Sequence, residues 1–373
     1  MSAYAPIRQR TQLWWKYGSL AGKEGRVSAD GRIACDMNRM IDDYLIRLYA
    51  EGFVATSRDH PDFPEMFGYF AAKIEGLQHW VPLVAQYELN GRQIFDLSGR
   101  LVEMFSETDL GECSLEGLHL PYDAFFIRFG KQDRIKLPYE DDFEYLEGAY
   151  VARTPFDETG VRLKFGFTTV SARGKGYEMP GYFLDIRPDE QNLPVLQAVE
   201  KALARKTALF ADKPGDTAND LALNAHRRDF AQESHSLMRD GAALLVNALF
   251  YLESFDKSSV EPEPGRDSSS EVVARWHQAP LVKRRKQVSQ LAASGYALVR
   301  MMGREVETGD QHAVEGGGVR AHWRRGHWRQ QPYGKGSTLR RRVWIRPMMI
   351  AAAHGGDVEV PGHIYVAGSE SRH

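Results

Sequence analysis

Apolar positions recur in steps of three and four through much of the first third of the chain. Between Asp36 and Phe53 they fall at Met37, Met40, Ile41, Tyr44, Leu45, Leu48 and Tyr49, which lays one apolar stripe along a helix. Asp62 to Tyr87 repeats the pattern through Phe67, Phe70, Ile74, Leu77 and Trp80, with Pro82 kinking or ending the helix. Asn90-Gly91 marks a turn, and Leu97 to Phe105 predicts a further helix. The pattern then shortens. Pro121 to Phe129 is a compact aromatic run, and Gly148 to Arg153, Val161 to Val170 and Gly181 to Ile186 are similar, which predicts an antiparallel or mixed sheet. Helical spacing returns over Asp189 to Leu209 and over 219–254, where Leu237, Ala242, Leu245, Ala248, Leu249 and Leu252 share one side.

Lys257 to Ser270 is polar, holds two prolines and offers no apolar area to bury. A helix over about Ser270 to Met302 and a final strand over Val358 to Val366 are expected beyond it. The chain thus reads as an α+β protein in four parts. These are a mainly helical N-terminal region (1–110), an α+β core around a central antiparallel or mixed sheet (111–256), a polar linker (257–270), and a helix followed by a small basic β-rich module (271–373).

Composition excludes some classes. The 373 residues are 43% hydrophobic and 26% charged, ordinary for a globular chain long enough for two or three substructures. Cys35 and Cys113 are the two cysteines, too few for a disulfide framework or a cysteine-based zinc module. Each is expected to act as a small buried apolar side chain in a reducing cytoplasm. Met1 to Lys16 has no apolar core of signal-peptide length, and no uninterrupted apolar run reaches the roughly 18 residues of a membrane span. A cytoplasmic protein with no membrane partner is expected.

The net charge of −2 hides a strong local imbalance. After Gly316-Gly317-Gly318 no acidic residue occurs until Asp357, while arginines accumulate. Within Val319 to Pro347 the triplet His322-Trp323-Arg324 is followed five residues later by His327-Trp328-Arg329. On a helix that spacing sets the tryptophans about 140° apart, and on a strand an odd spacing sets them on opposite faces. The spacing fits two strands at a tight turn, or a bulged strand in which Gly326 supplies a positive φ. Arginine brings a planar five-donor fork, tryptophan a rigid stacking face, and histidine a group that titrates near neutrality. Peptide clamps and single-strand nucleic-acid sites use such mixtures. The expected contact residues are Arg320, His322, Trp323, Arg324, Arg325, His327, Trp328, Arg329, Tyr333, Lys335, Arg341 and Trp344. The structural alternative is that the tryptophans are core and the arginines a solvated face, or a patch docked on acidic residues such as Glu140-Asp141-Asp142.

Catalytic signatures are weak. Gly334-Lys335-Gly336-Ser337 lacks the first glycine of a phosphate-binding loop, and there is no nucleophile elbow. His322 and His327 have neither helical i, i+4 pairing nor a nearby carboxylate, and His312, His354 and His363 do not complete a ligand set with them, so no metal or other cofactor is expected. Arg228 to His235 reads as a solvated helix face, and Trp14-Trp15 as a packing anchor.

The run Arg320 to Gly334, followed by Arg341 to Pro347, resembles the C-terminal signature of a type V-A anti-CRISPR family carried by phages, plasmids and other mobile elements. Leu118 to Phe129, with its Leu-Pro-Tyr and aromatic strand, is similar to a second family feature. The resemblance implies a protein that recognises the nascent N-terminal polypeptide of the type V-A effector and lowers the effector's mRNA. The implied partners are that polypeptide and, beside it, the message or the ribosome. A non-catalytic recognition protein is therefore the first expectation. An RNA-binding protein or ribonuclease using His322 or His327 is the alternative.

Overall fold

The computed structural model describes residues 4–8, 26–27, 33–34, 79–80, 82–139, 142–157, 160–171, 182–208, 228–229, 231–253, 260–293, 297–307 and 322–350. The helix expected over Asp36 to Phe53, most of that over Asp62 to Tyr87, the strand over Val358 to Val366, Trp14-Trp15 and Cys35 lie outside them. Residues 79–80 and 82–89 are helical and end at the expected Asn90-Gly91 turn, where Gly91 has φ +79°.

The fold is α+β and centres on a mixed sheet of seven strands. They are β1 (Ile94–Leu97), β3 (Ala124–Tyr139), β4 (Asp142–Phe156), β5 (Gly160–Ser171), β6 (Phe183–Ile186), β7 (Glu263–Pro264) and β8 (Leu298–Met302). Their order across the sheet is β6-β5-β4-β3-β1-β8-β7. β1 runs parallel to both β3 and β8, and the other neighbours are antiparallel. A second, smaller sheet joins β2 (Thr108–Asp109) to the C-terminal strands. The helices are α1 (Gly99–Ser106), α2 (Val195–Ala208), α3 (His235–Glu253), α4 (Ser270–Gln278) and α5 (Leu281–Ala293).

Both faces of the sheet are covered. On one, Trp80, Leu83, Val84 and Tyr87 pack down, and the rings of Trp80 and Tyr87 meet Tyr150 edge-on at 5.4 and 5.3 Å. Gly166 admits them, since a Cβ there would lie 2.5 Å from Leu83 Cδ2. On the other lies α3, whose Gly241 sits against Phe167 and Leu146. The expected apolar side of α3 is buried, but so are Leu244, Val246, Phe250 and Tyr251. A helix closed in on several sides loses its polar face. Each such large side chain contributes roughly 1.5–3 kcal/mol by leaving water.

Three expectations are corrected. The helix over Ser270 to Met302 is α4, α5 and then β8. Pro280 separates the helices, and the short apolar run Ala297 to Met302 enters the sheet beside β1. The polar stretch 257–270 holds an edge strand, because Gly265 packs against the Tyr4 ring and Arg266 reaches Asp96. The helix expected from Leu97 begins at Gly99 behind a strand. Ser98 is its N-cap, accepting from the Leu101 N–H at 3.2 Å and donating to the Gly303 carbonyl.

Asp96 is fully buried in β1 yet fully engaged. It accepts from the Tyr4 hydroxyl at 2.7 Å, Arg128 at 3.1 Å and Arg266 at 2.9 Å. A buried carboxylate survives on such pairing, and this one ties residue 4, β1, β3 and the β7 turn together. At the opposite edge of the sheet, Arg205 donates to the Asp185 carbonyl and Lys206 lies 3.5 Å from that of Phe183, so β6 is capped. Cys113 is buried and its thiol is pushed up by burial. Among the described residues no helix is long and apolar enough to cross a membrane.

His79 stacks on Phe183 with ring centroids 3.7 Å apart. Burial, then Lys164, Lys206 and Arg162, hold its pKa down at about 3. Between pH 6.5 and 3 the unfolded chain binds a proton that the folded chain refuses. The stability is therefore complete above pH 6.5 and falls as pH drops toward 3. Thermal melts at pH 7.5 and 4.5 should show a smaller acid loss for His79→Gln than for the parent. Equal losses would place the acid sensitivity elsewhere.

Candidate functional site

The C-terminal strands form one ribbon. β9 (His322–Arg324) and β10 (Gly326–Tyr333) are separated by Arg325 alone; β11 (Leu339–Ile345) and β12 (Met348–Ile350) are separated by Arg346 and Pro347. The β9–β12 partners, such as Arg324 with Met348, continue the register of His327 with Ile345 and Trp328 with Trp344. The hairpin therefore runs from 322 to 350 with no residue gained or lost. Its one interruption is at Gly326, which pairs with Thr108 of β2 and donates to the Glu107 carbonyl at 2.9 Å. Gly326 is needed for space and not for a positive φ or a bulge. A Cβ would lie 2.7 Å from Pro347 Cδ and 2.8 Å from Thr108 Oγ1.

The root of the ribbon is locked to the core. Trp328 is 7% exposed and faces Trp344 across the strands with rings stacked at 6.0 Å. Phe250 meets Trp328 edge-on at 5.4 Å, and Phe105 and Tyr251 flank Trp344 at 5.1 and 5.8 Å. The Trp328 indole N–H donates to Asn247 Oδ1 at 2.7 Å. Asn247 Nδ2 lies 3.1–3.3 Å from the carbonyls of Ala243, Phe105 and Thr108, its two hydrogens shared among them. The Trp344 indole N–H reaches Thr108 Oγ1 at 3.2 Å. Arg342, with a side chain 10% exposed, donates to Glu253 at 2.6 Å and to the carbonyls of Ser114 and Glu116, and covers the Phe250 ring.

Beyond this root the ribbon stands in solvent. Arg329, Gln330, every residue from Pro332 to Leu339, and Arg340 and Arg341 are exposed. The tip is Gly334 to Thr338, where positive φ at Gly334 (+78°), Gly336 (+71°) and Ser337 (+56°) turns the chain. Tyr333 is 42% and Leu339 52% exposed, and the Arg341 guanidinium lies 5.6 Å from the Tyr333 ring centroid. Arg329 is held by Gln331, and Arg340 by the carbonyls of Ser337 and Leu339. Among the described residues, Arg325, Arg329, Lys335, Arg340 and Arg341 have no carboxylate partner, whereas Arg342 pairs with Glu253. The acidic stretch 140–142 lies outside the residues whose side chains are described.

The structure thus sorts the expected contact residues. Arg325, His327, Arg329, Tyr333, Lys335 and Arg341 are brought together on the exposed ribbon. Trp328 is core, and Trp344 is half-buried beside it, so both support the ribbon from below. His322, Trp323 and Arg324 lie in β9, with side chains outside the described residues, as is Arg320 altogether. Asn247 and Arg342 were not anticipated. The signal for Asn247 was an amide inside the apolar run Leu244 to Leu252, which demands a buried partner. No group of side chains among the described residues could hold a metal ion.

The model of the AcrVA2-like family, described as the anti-CRISPR type V subtype A2 family, matches residues 95–352, more than half of the chain and all of the ribbon. No curated protein matches. Among solved structures, the crystal structure of AcrVA2 is similar with a TM-score of 0.41 and 12% identity, over 92% of this chain and 95% of that one.

Two classes of variant should separate root from tip. Trp328→Ala is expected to lose about 3–5 kcal/mol, the usual toll of a buried aromatic, and Asn247→Ala about 1–3 kcal/mol through orphaned partners. Tyr333→Ala and Arg341→Ala should stay within about 0.5 kcal/mol of the parent. Urea melts that rank Arg341→Ala with Trp328→Ala would make the tip part of the core.

Proposed function

Because this chain belongs to the anti-CRISPR type V subtype A2 family, we propose that its ribbon binds the N-terminal polypeptide of a type V-A effector as it is translated, and that this binding lowers the effector's mRNA. Membership in the family sets the target system, type V-A CRISPR. The finer reading rests on the ribbon, and one observation carries it. A row of cations with no carboxylate partner, with Tyr333 and Leu339 among them, is held out in solvent by a root anchored through Trp328, Trp344 and Arg342. Cations without partners keep their full attraction for an incoming anionic group, and a rigid root limits the ordering cost of binding.

On this reading Arg325, His327, Arg329, Tyr333, Lys335 and Arg341 make direct contact. From the sequence alone, the same role is assigned to Arg320, His322, Trp323 and Arg324. Trp328 and Trp344 hold it in place. His327 is exposed on the ribbon and has no carboxylate partner among the described residues. Binding alone is the role assigned to the ribbon.

The test is co-expression with a type V-A effector whose first few dozen codons are native or synonymously recoded, with effector mRNA quantified. Loss of message from both genes is the expected result, because recoding preserves the peptide. Loss from the native gene alone would transfer recognition to the RNA. The double variant Arg329→Ala/Arg341→Ala should restore the message while keeping the parent's melting temperature.

A further inference from the structure

Four edges bound the two larger sheets, and three are closed. The outward carbonyls of β6 are taken by Arg205 and Lys206. β7 is two residues long and contains Pro264. β2 is also two residues long, and its Thr108 carbonyl accepts from Asn247. β11 is different. It spans seven residues at the outside of the order β11-β10-β2. Among the described residues, no hydrogen bond joins a main-chain group of Leu339–Ile345 to a residue outside the ribbon. An antiparallel edge strand directs alternate N–H and C=O groups away from its neighbour, so β11 presents a row of main-chain donors and acceptors.

The side chains beside that edge narrow what can bind there. Leu339, Arg340 and Arg341 are exposed, Arg329 and Tyr333 stand on the adjoining strand, and no residue from His322 to Ile350 is acidic. An incoming strand would place alternate side chains on the face shared by Leu339, Arg341, Arg329 and Tyr333, and the others on the face of Arg340. Carboxylates satisfy a guanidinium fork, and the small apolar side chains that alternate with them fall on the opposite face. We propose that β11 takes up an extended, acidic peptide segment as an added strand of the small sheet. This deepens the reading above and rests on it only in taking the partner to be a polypeptide.

The experiment is calorimetry on the full chain with synthetic peptides of seven residues, the length of β11. The first peptide alternates glutamate with valine. The second carries lysine for glutamate. The third and fourth are the glutamate peptide N-methylated on one or the other alternate set of amides. Strand addition predicts binding of the first and none of the second. It also predicts a loss of at least about tenfold for one methylated peptide but not its mate, because an added strand uses alternate amides. Arg340→Glu/Arg341→Glu, with an unchanged melting temperature, should weaken the glutamate peptide by a similar factor. The inference is overturned if the glutamate peptide does not bind, if both methylated peptides bind like the parent, or if the charge-reversed protein binds as well. Displacement of the peptide by a single-stranded RNA at equal concentration would also overturn it, in favour of a polyanion site. The message assay separates the two proposals. Binding with the expected amide pattern but no loss of effector mRNA sinks the functional reading and leaves strand addition standing. Loss of effector mRNA with the parent protein, together with a glutamate peptide whose two methylated forms bind like the parent peptide, does the opposite.

Discussion

The side-chain amide of Asn247 sits where three parts of the molecule meet. Its oxygen takes the indole N–H of Trp328 from the ribbon, and its nitrogen serves carbonyls at the end of α1, in β2 and in its own helix. Every one of those groups is withdrawn from water, where an unmatched donor or acceptor is costly. The amide therefore specifies as well as stabilises. An apolar residue of similar size would fill the volume but would leave the indole and the Thr108 carbonyl without the amide they pair with. The position of Trp328 sets that of Trp344 opposite it, and this pair sets where the exposed part of the ribbon begins.

The sheet supplies the platform. Because helical segments cover both of its faces, α3 is pressed between sheet, α1 and ribbon, and its end at Glu253 is available to hold Arg342. The ribbon is thus pinned at two places along α3, one neutral and one ionic. Beyond them it makes few contacts with the rest of the described residues. Few contacts leave its side chains free to meet something else.

Much of this was legible in the pattern of residues. The aromatic run Pro121 to Phe129 and the alternating stretches after it were strands, and 189–209 and 219–254 contained the two expected helices. What escaped was set by tertiary contact. Ile94–Leu97 is four residues long with a buried aspartate in its middle, which reads as no strand until Tyr4, Arg128 and Arg266 are seen around it. β8 continues a helical pattern in sequence and becomes a strand because β1 offers a parallel partner. In the site, local spacing located the ribbon and named its exposed arginines. It did not distinguish Trp328, which needed a polar partner 81 residues away, from residues facing solvent. Nor did it separate Arg341 from Arg342, whose roles differ because adjacent residues of a strand point to opposite faces.

The open strand has a consequence for how copies of this protein behave toward one another. An unprotected edge of seven residues is a template for self-association, since two copies could pair edge to edge around a twofold axis. Such pairing would bring Arg340 and Arg341 of one copy against the same residues of the other, with no acidic residue in either ribbon to separate them. Like charges set opposite each other across a strand pair oppose its formation. Arginines at this edge therefore disfavour its pairing with a second copy of itself, while a strand of opposite charge would meet no such repulsion.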